Sequence, residues 1–290
     1  MLRVSKSQMH AQTPDISEAR IASHYHKDGL FEAILQSLKQ SGIDQPNRQS
    51  LAAVDEFHVG GSEATAMVAA QLPPQSVLLD IGCGLGGAAR FVAHALACHV
   101  TGIDLSESYV SAGNQLTRLV GMADQVNLET GNALNLAFDN AMFDGAYMMH
   151  VGMNVSSKEQ LMRQAYRVIK PGGRLVIYDT MRVTGAAVDA APPKYPLPWA
   201  ENADDCAVGS HEDYALSLTN AGFEIVSHEE YSDFAIDFMD RVIANRVKNG
   251  PSPLGLHLLM GASAAQKSKN LHAALKKKQL APVVMVASRV

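Results

Sequence analysis

Ser76-Val-Leu-Leu-Asp80-Ile-Gly82-Cys83-Gly84-Leu-Gly86-Gly87-Ala-Ala-Arg90 is the stretch from which the rest of the chain can be read. Val77, Leu78, Leu79 and Ile81 form a short, continuous apolar run bounded by Pro74 and glycines, the pattern of a buried strand. Gly82, Gly84, Gly86 and Gly87 then make a turn that bulkier residues could not follow, and Ala88, Ala89, Phe91, Val92 and Leu96 carry a helical period behind it. Such a turn lets a ligand approach the backbone beside the positive end of a helix dipole. Gly82, Gly84 and Gly87 also satisfy the G-x-G-x-x-G pattern of dinucleotide sites. Asp80 discriminates, because a carboxylate ahead of the turn repels a diphosphate and suits a ligand bearing an ammonium group.

Further strands are expected over residues 99–104, 125–130, 143–150 and 174–179, with helices opened by Ser106 and by a capping box at Ser156–Glu159. Upstream, a helical period runs from 16 to 38, and Ser62 is placed to cap a helix ending at Leu72. Downstream come a helix over 210–221, a strand over 223–227, helices near 234–247 and 264–275, and a strand over 282–288. The alternation calls for an α/β fold: a Rossmann-like, mostly parallel seven-stranded sheet with helices on both faces, N-terminal helices, and a lid after strand five. In such a sheet the ligand crevice lies beyond the carboxyl ends of the strands. Those ends carry Asp80 and the glycines, then Asp104, Asn132, His150 and Asp179. Asp104 stands roughly 20 residues past the turn, where a carboxylate can accept from the hydroxyls of a ribose.

The D-x-G-x-G of Asp80 to Gly84 resembles motif I of the class I S-adenosylmethionine-dependent methyltransferases, whose cofactor carries an amino acid and a sulfonium instead of phosphates. The turn Val168-Ile-Lys-Pro-Gly-Gly-Arg174 resembles a second recognisable feature of that family, and the motifs stand in family order across residues 75–180. The resemblance implies S-adenosyl-L-methionine as cofactor, contacted by Asp80, Gly82, Cys83, Gly84, Asp104, Leu105, Asn132, Ala133 and His150. Family members usually have an acidic residue where Asn132 stands; the asparagine oxygen can still accept from an adenine amino group, and Ala133 can offer its amide. Asp55-Glu-Phe-His-Val-Gly-Gly61, His150-Val-Gly-Met-Asn154 and Pro196-Leu-Pro-Trp199 look like small-molecule methyltransferases near the sarcosine/dimethylglycine N-methyltransferases and the natural-product sugar O-methyltransferases. Some O-methylating relatives carry a histidine pair after strand four, where this chain has Met153-Asn154.

The implied reaction is an in-line displacement governed mainly by positioning. A hydroxyl or ammonium acceptor must also lose a proton, for which His58, His150 and Asp179 are the candidates. Asn154, Tyr195 and Trp199 are the candidate acceptor contacts, the aromatic pair offering a wall for a charged amine. Met148, Met149 and Met153 are read as core packing and Cys83 as a small filler. N- and O-methylation stay open, as do two other readings: a nicotinamide-dependent oxidoreductase and a non-catalytic S-adenosylmethionine-binding protein.

With 290 residues, 47% of them hydrophobic, the chain is long enough for a large core. A net charge of -5 argues against a nucleic-acid partner, leaving a small-molecule methyl acceptor; a homodimer is compatible with such a chain. Cys83, Cys98 and Cys206 lack metal-ligand spacing and form no even disulfide set, so no metal and a reducing, cytoplasmic compartment are expected. No apolar run approaches the ~18 residues of a membrane span, and the first residues lack a secretory apolar core. The expected organisation is a loose arm over 1–17 and one methyltransferase domain over 18–290. Within that domain 18–74 forms a helical cap, 75–180 the cofactor core, and 181–209 with 231–280 the substrate-side lid. Asp104→Ala is expected to lower affinity for S-adenosylhomocysteine markedly in isothermal titration calorimetry; unchanged binding would remove Asp104 from the ribose role.

Overall fold

A computed structural model describes residues 18–184 and 191–290, so the expected arm and residues 185–190 of the expected lid lie outside the described residues. The period read as one helix over 16–38 is two, α1 (Glu18–Tyr25) and α2 (Leu30–Gln40), because Gly29 takes a left-handed φ of 62° and caps α2. A helix not anticipated, α3 (Arg48–Asp55), opens on a capping box between Asn47 and Ser50. Helix α4 (Gly61–Ala69) starts after Gly60, not at Ser62, whose hydroxyl instead donates to Glu56 at 3.4 Å.

The alternating core follows as β1 (Val77–Ile81), α5 (Gly87–Leu96), β2 (His99–Asp104), α6 (Glu107–Leu119), β3 (Val126–Thr130) and β4 (Phe143–Met149). Ser106 caps α6 as expected, whereas α7 (Lys158–Val168) is capped by Ser157, one residue later than read. Pro171-Gly172-Gly173 falls inside β5 (Ile169–Arg182), where the register against β4 shifts. Then come α8 (His211–Ala221), β6 (Phe223–Glu230), α9 (Ser232–Asn249), α10 (His257–Met260), α11 (Ala264–Lys276) and β7 (Leu280–Arg289).

The seven strands lie in the order β3-β2-β1-β4-β5-β7-β6, with β7 antiparallel to both of its neighbours and the other pairs parallel. Leu78 packs into the core on one face of the sheet and Leu79 into the core on the other, which is why β1 reads as a continuous apolar run. Strand order reverses between β1 and β4, so the crevice opens above their carboxyl ends. Among the described residues, no helix is long and apolar enough to cross a membrane.

Arg90 joins the elements around that crevice. Its guanidinium is fully buried and donates to the Asp55 carboxylate at 2.6 Å, the Leu85 carbonyl at 2.8 Å and the Thr117 hydroxyl at 2.7 Å. Helix α3, the glycine turn and α6 therefore share one cation. Burial pushes the Asp55 carboxyl up to about 6 against the pull of Arg90, so above that pH the pair is ionised. Asp55→Ala, which strands the guanidinium, is expected to cost about 3–5 kcal/mol in urea denaturation at pH 8. A loss below about 1 kcal/mol would show that the pair is not a structural joint.

Candidate functional site

A cavity of about 480 Å³ lies over the ends of β1, β2 and β4. The glycine turn, Asp104, Leu105 and residues 131–134 contribute to its lining. So do Ile21 and Tyr25 of α1, Phe57 and His58, Trp199 and Leu259, with Tyr25 packed edge-on against Tyr109 of α6.

The glycines divide their work. A side chain on Gly82 would run into Val151, one on Gly86 into Leu128, and one on Gly87 into the Asp55 backbone. Gly84, with φ of 54°, has nothing closer than Tyr109 at 3.9 Å, so it is the position that leaves room for a ligand. The Gly84 amide donates to Asp104 Oδ2 at 2.9 Å, and the Ser106 amide donates to Asp104 Oδ1 at 2.9 Å. Asp104 thus braces the turn from β2 while both oxygens keep acceptor capacity for ligand hydroxyls. Burial raises its carboxyl above the usual range, opposed by those amides.

Asp80 is 2% exposed, lines the cavity, and its Oδ2 has no hydrogen-bond partner. Burial pushes this carboxyl up to about 8; the Tyr147 hydroxyl opposes that rise and the Asp104 charge adds to it. An orphaned buried carboxylate oxygen in a cavity wall fits a ligand ammonium group. Asn132 closes its own turn by accepting from the Leu134 amide at 2.8 Å, and both Asn132 and Ala133 line the cavity.

His150 and His58 face each other, ring centroids 6.0 Å apart. His150 holds a left-handed φ of 57°, stacks on Tyr178 at 5.3 Å and approaches the Thr180 hydroxyl at 3.4 Å. A non-glycine residue in that conformation costs of order 1–3 kcal/mol, a strain that clusters at functional sites. Burial lowers both histidines, His58 to about 4 and His150 well below its ordinary value, so both are neutral near pH 7. Asn154 accepts from the Tyr25 hydroxyl at 3.2 Å, tying α1 across the cavity to the turn after β4. Trp199 is 5% exposed and its indole N–H donates to Cys206 Sγ at 3.2 Å.

Two of the residues singled out from the sequence lie elsewhere. Asp179 is outside the cavity lining: its Oδ2 accepts from the Gly152 amide at 2.7 Å and the Tyr214 hydroxyl at 2.6 Å, and its Oδ1 from the Thr180 amide at 2.9 Å. It anchors the turn that carries Met153 and Asn154 instead of reaching a ligand. Tyr195 is absent from the cavity lining and packs against the hydrophobic cluster that contains Trp199, Met153, Leu271 and Leu275, so it stands behind the wall that Trp199 presents. Met149 and Met153, read as packing, and Cys83, read as a filler, do line the cavity. Sequence reasoning missed Ile21 and Tyr25, which sit in a helical period that looks like core, Leu259, which lies in the four-residue α10 between the expected helices, and the part Glu56 plays within the Asp55–Gly61 stretch.

Residues 79–177 match the family model described as a methyltransferase domain. The sterol 24-C-methyltransferase of Eremothecium gossypii is 32% identical over 131 residues, 42% of this chain and 35% of that protein. The sarcosine/dimethylglycine N-methyltransferase of Halorhodospira halochloris is 26% identical over 170 residues, 59% of each. Across the first four curated relatives, the matched part spans between 30% and 59% of their length. Among solved structures, the [4+2]-cyclase SpnF aligns with TM-score 0.68 and 22% identity over 96% of this chain and 99% of that one. The geranyl diphosphate C-methyltransferase of Streptomyces coelicolor A3(2), in complex with Mg2+, geranyl diphosphate and S-adenosyl-L-homocysteine, aligns with TM-score 0.67 and 18% identity over 96% of this chain and 99% of that one. The fold is that of the class I methyltransferases.

Asp80 yields a test of the site by pH. Its folded-state pKa lies above the unfolded one, so its favourable contribution is complete below about pH 4 and is lost as pH rises through about 8. Asp80→Asn removes the ionisation. The variant is expected to match the wild-type Tm at pH 4 and to exceed it at pH 9 by on the order of 5 °C. Equal Tm values at pH 9 would show that Asp80 carries no such penalty.

Proposed function

We propose that this chain, which carries a methyltransferase domain on the class I fold, transfers a methyl group from S-adenosyl-L-methionine to a small-molecule acceptor. The observation that carries the reading is Asp80, whose buried Oδ2 stands without a partner in the wall of the cavity. The amino group of the methionine moiety answers that oxygen and favours its ionised form, whereas the diphosphate of a dinucleotide would disfavour that form. When bound, the sulfonium supplies both the methyl group and its leaving group.

The chain's own residues bind, orient and exclude water. Asp80 takes the ammonium group, Gly84 gives the backbone clearance, and Asp104 with Leu105 receives the ribose. Asn132 and Ala133 flank the base, and His150 and His58 form the boundary toward the acceptor. Asn154 and Trp199 close the acceptor side. Holding two reactants in line is itself worth about 7–11 kcal/mol of barrier.

In this reading residues 18–74, 181–209 and 231–280 serve the acceptor, supported by Tyr25, Phe57, Trp199 and Leu259 in the cavity wall. A small acceptor in place of a nucleic acid accords with the net charge of -5. A reducing, cytoplasmic setting is supported by the free, buried state of Cys83, Cys98 and Cys206.

Calorimetry with S-adenosylhomocysteine in buffers of different ionisation enthalpy tests the reading. At pH 6.5 Asp80 is neutral in the free protein, and an incoming ammonium group favours its charged form. Binding is therefore expected to release close to one proton, and Asp80→Asn to abolish the release and weaken affinity. Binding of NAD in place of S-adenosylhomocysteine would overturn the assignment.

A further inference from the structure

The acceptor side of the cavity is walled by uncharged groups. Ile21, Phe57, Met153, Trp199 and Leu259 supply apolar surface, and His58 and Asn154 supply polar atoms. Among the described residues its lining contains no lysine or arginine. Of its carboxylates, Asp55 is paired with Arg90, while Asp80 and Asp104 belong to the glycine turn. Lys27 and Lys267 stand in a small neighbouring cavity of about 90 Å³, where Lys267 is neutralised by Glu201 at 2.6 Å. Within the lining itself a carboxylate or phosphate on the acceptor would meet no cation, Lys27 standing in the neighbouring cavity, and burying an unpaired charge is costly.

Behind His58 lies a set of acceptors. His58 Nε2 is 3.1 Å from the Gly61 carbonyl, 3.0 Å from Thr65 Oγ1 and 3.3 Å from Glu56 Oε2. The Thr65 hydroxyl spends its own proton on Glu56 Oε2 at 2.6 Å; burial raises the Glu56 carboxyl while the Thr65 and Ser62 hydroxyls oppose the rise, and with Glu56 ionised every group around Nε2 accepts. Nε2 therefore bears the hydrogen, and the lone pair of this cavity-lining ring is on Nδ1. Glu56 and Thr65 are buried, so the carboxylate behind the ring is shielded from water.

We infer that the acceptor is a neutral, largely apolar molecule methylated at a hydroxyl group, with His58 Nδ1 taking the hydroxyl proton. Glu56 and Thr65 are the positioning residues that set the tautomer of His58 and stabilise the imidazolium it becomes. The inference rests on the proposed methyl transfer. As the new oxygen–methyl bond forms, the sulfur–methyl bond breaks and leaves its electron pair on sulfur, cancelling the sulfonium charge. The hydroxyl proton becomes strongly acidic as its oxygen is methylated, so an imidazole lowered to about 4 by burial can still take it at Nδ1, and it passes from there to solvent after product leaves.

Trp199 is the chain's single tryptophan and lines the cavity, so its emission reports on what enters. Protein first shown by calorimetry to bind S-adenosylhomocysteine is titrated with thymol, thymol methyl ether, dimethylglycine, phosphoethanolamine and choline. Thymol is expected to change the emission saturably, its ether to bind about fivefold more weakly, the worth of one hydrogen bond, and the charged probes to leave the signal unchanged. Glu56→Gln is expected to narrow the thymol-to-ether ratio and His58→Phe to bring it to one. Loss of packing alone would weaken both probes and preserve their ratio. Tighter binding of any charged probe, a wild-type ratio near one, or no response to thymol would each overturn the inference. Failure to bind S-adenosylhomocysteine would instead overturn the methyl-transfer reading itself.

Discussion

A guanidinium sealed from water holds the two sides of the cavity in register. Arg90 reaches the glycine turn through Leu85 and the end of α3 through Asp55, and the chain leaving Asp55 continues directly into Glu56, Phe57 and His58. One side of this joint shapes the nucleotide pocket and the other the acceptor wall. The Asp55 backbone also packs so closely on Gly87 that no larger residue fits there. A joint made of a buried ion pair and a glycine contact is geometrically exacting, because neither the charge nor the gap tolerates displacement.

Around that joint the site is built from groups that would be more stable elsewhere. Asp80 sits dry with an unmatched oxygen, His150 holds a left-handed backbone, and His58 is buried next to the Glu56 carboxylate. Each carries an energetic cost that the surrounding cores offset, and each lines one cavity. The neighbouring anchors are fully satisfied by contrast: Asp179 has donors on both oxygens, and Tyr178 donates to the Val59 carbonyl at 2.9 Å.

The same fold serves amine, sterol and prenyl diphosphate chemistry in the proteins this chain resembles. Much of the cavity wall comes from elements outside the matched 79–177 segment. Here those elements are α1, the 55–60 segment, the Trp199 loop and α10, and they bring apolar surface with few polar atoms. A fold-level likeness therefore says little about the acceptor, whereas the wall composition says more.

Local order alone was enough to read the strands, the glycine turn, the Ser106 and Ser210 caps and the carboxylate at the end of β2. Each of these depends on neighbours close in sequence: period, turn chemistry and caps. Tertiary packing decided most of the rest. The pairing of Tyr25 with Asn154 depends on partners far apart along the chain, whereas the break at Gly29 and the Asn47–Ser50 cap of α3 are local features that the helical period overrode. Asp179 and Tyr195 looked like site residues because of what they follow in sequence. Burial against Tyr214 in one case and a hydrophobic cluster in the other took them out of the cavity. Sequence determined the nucleotide-side framework because one β–turn–α unit contains it. Only the tertiary structure decided the acceptor side, because four separate segments must converge before that surface exists.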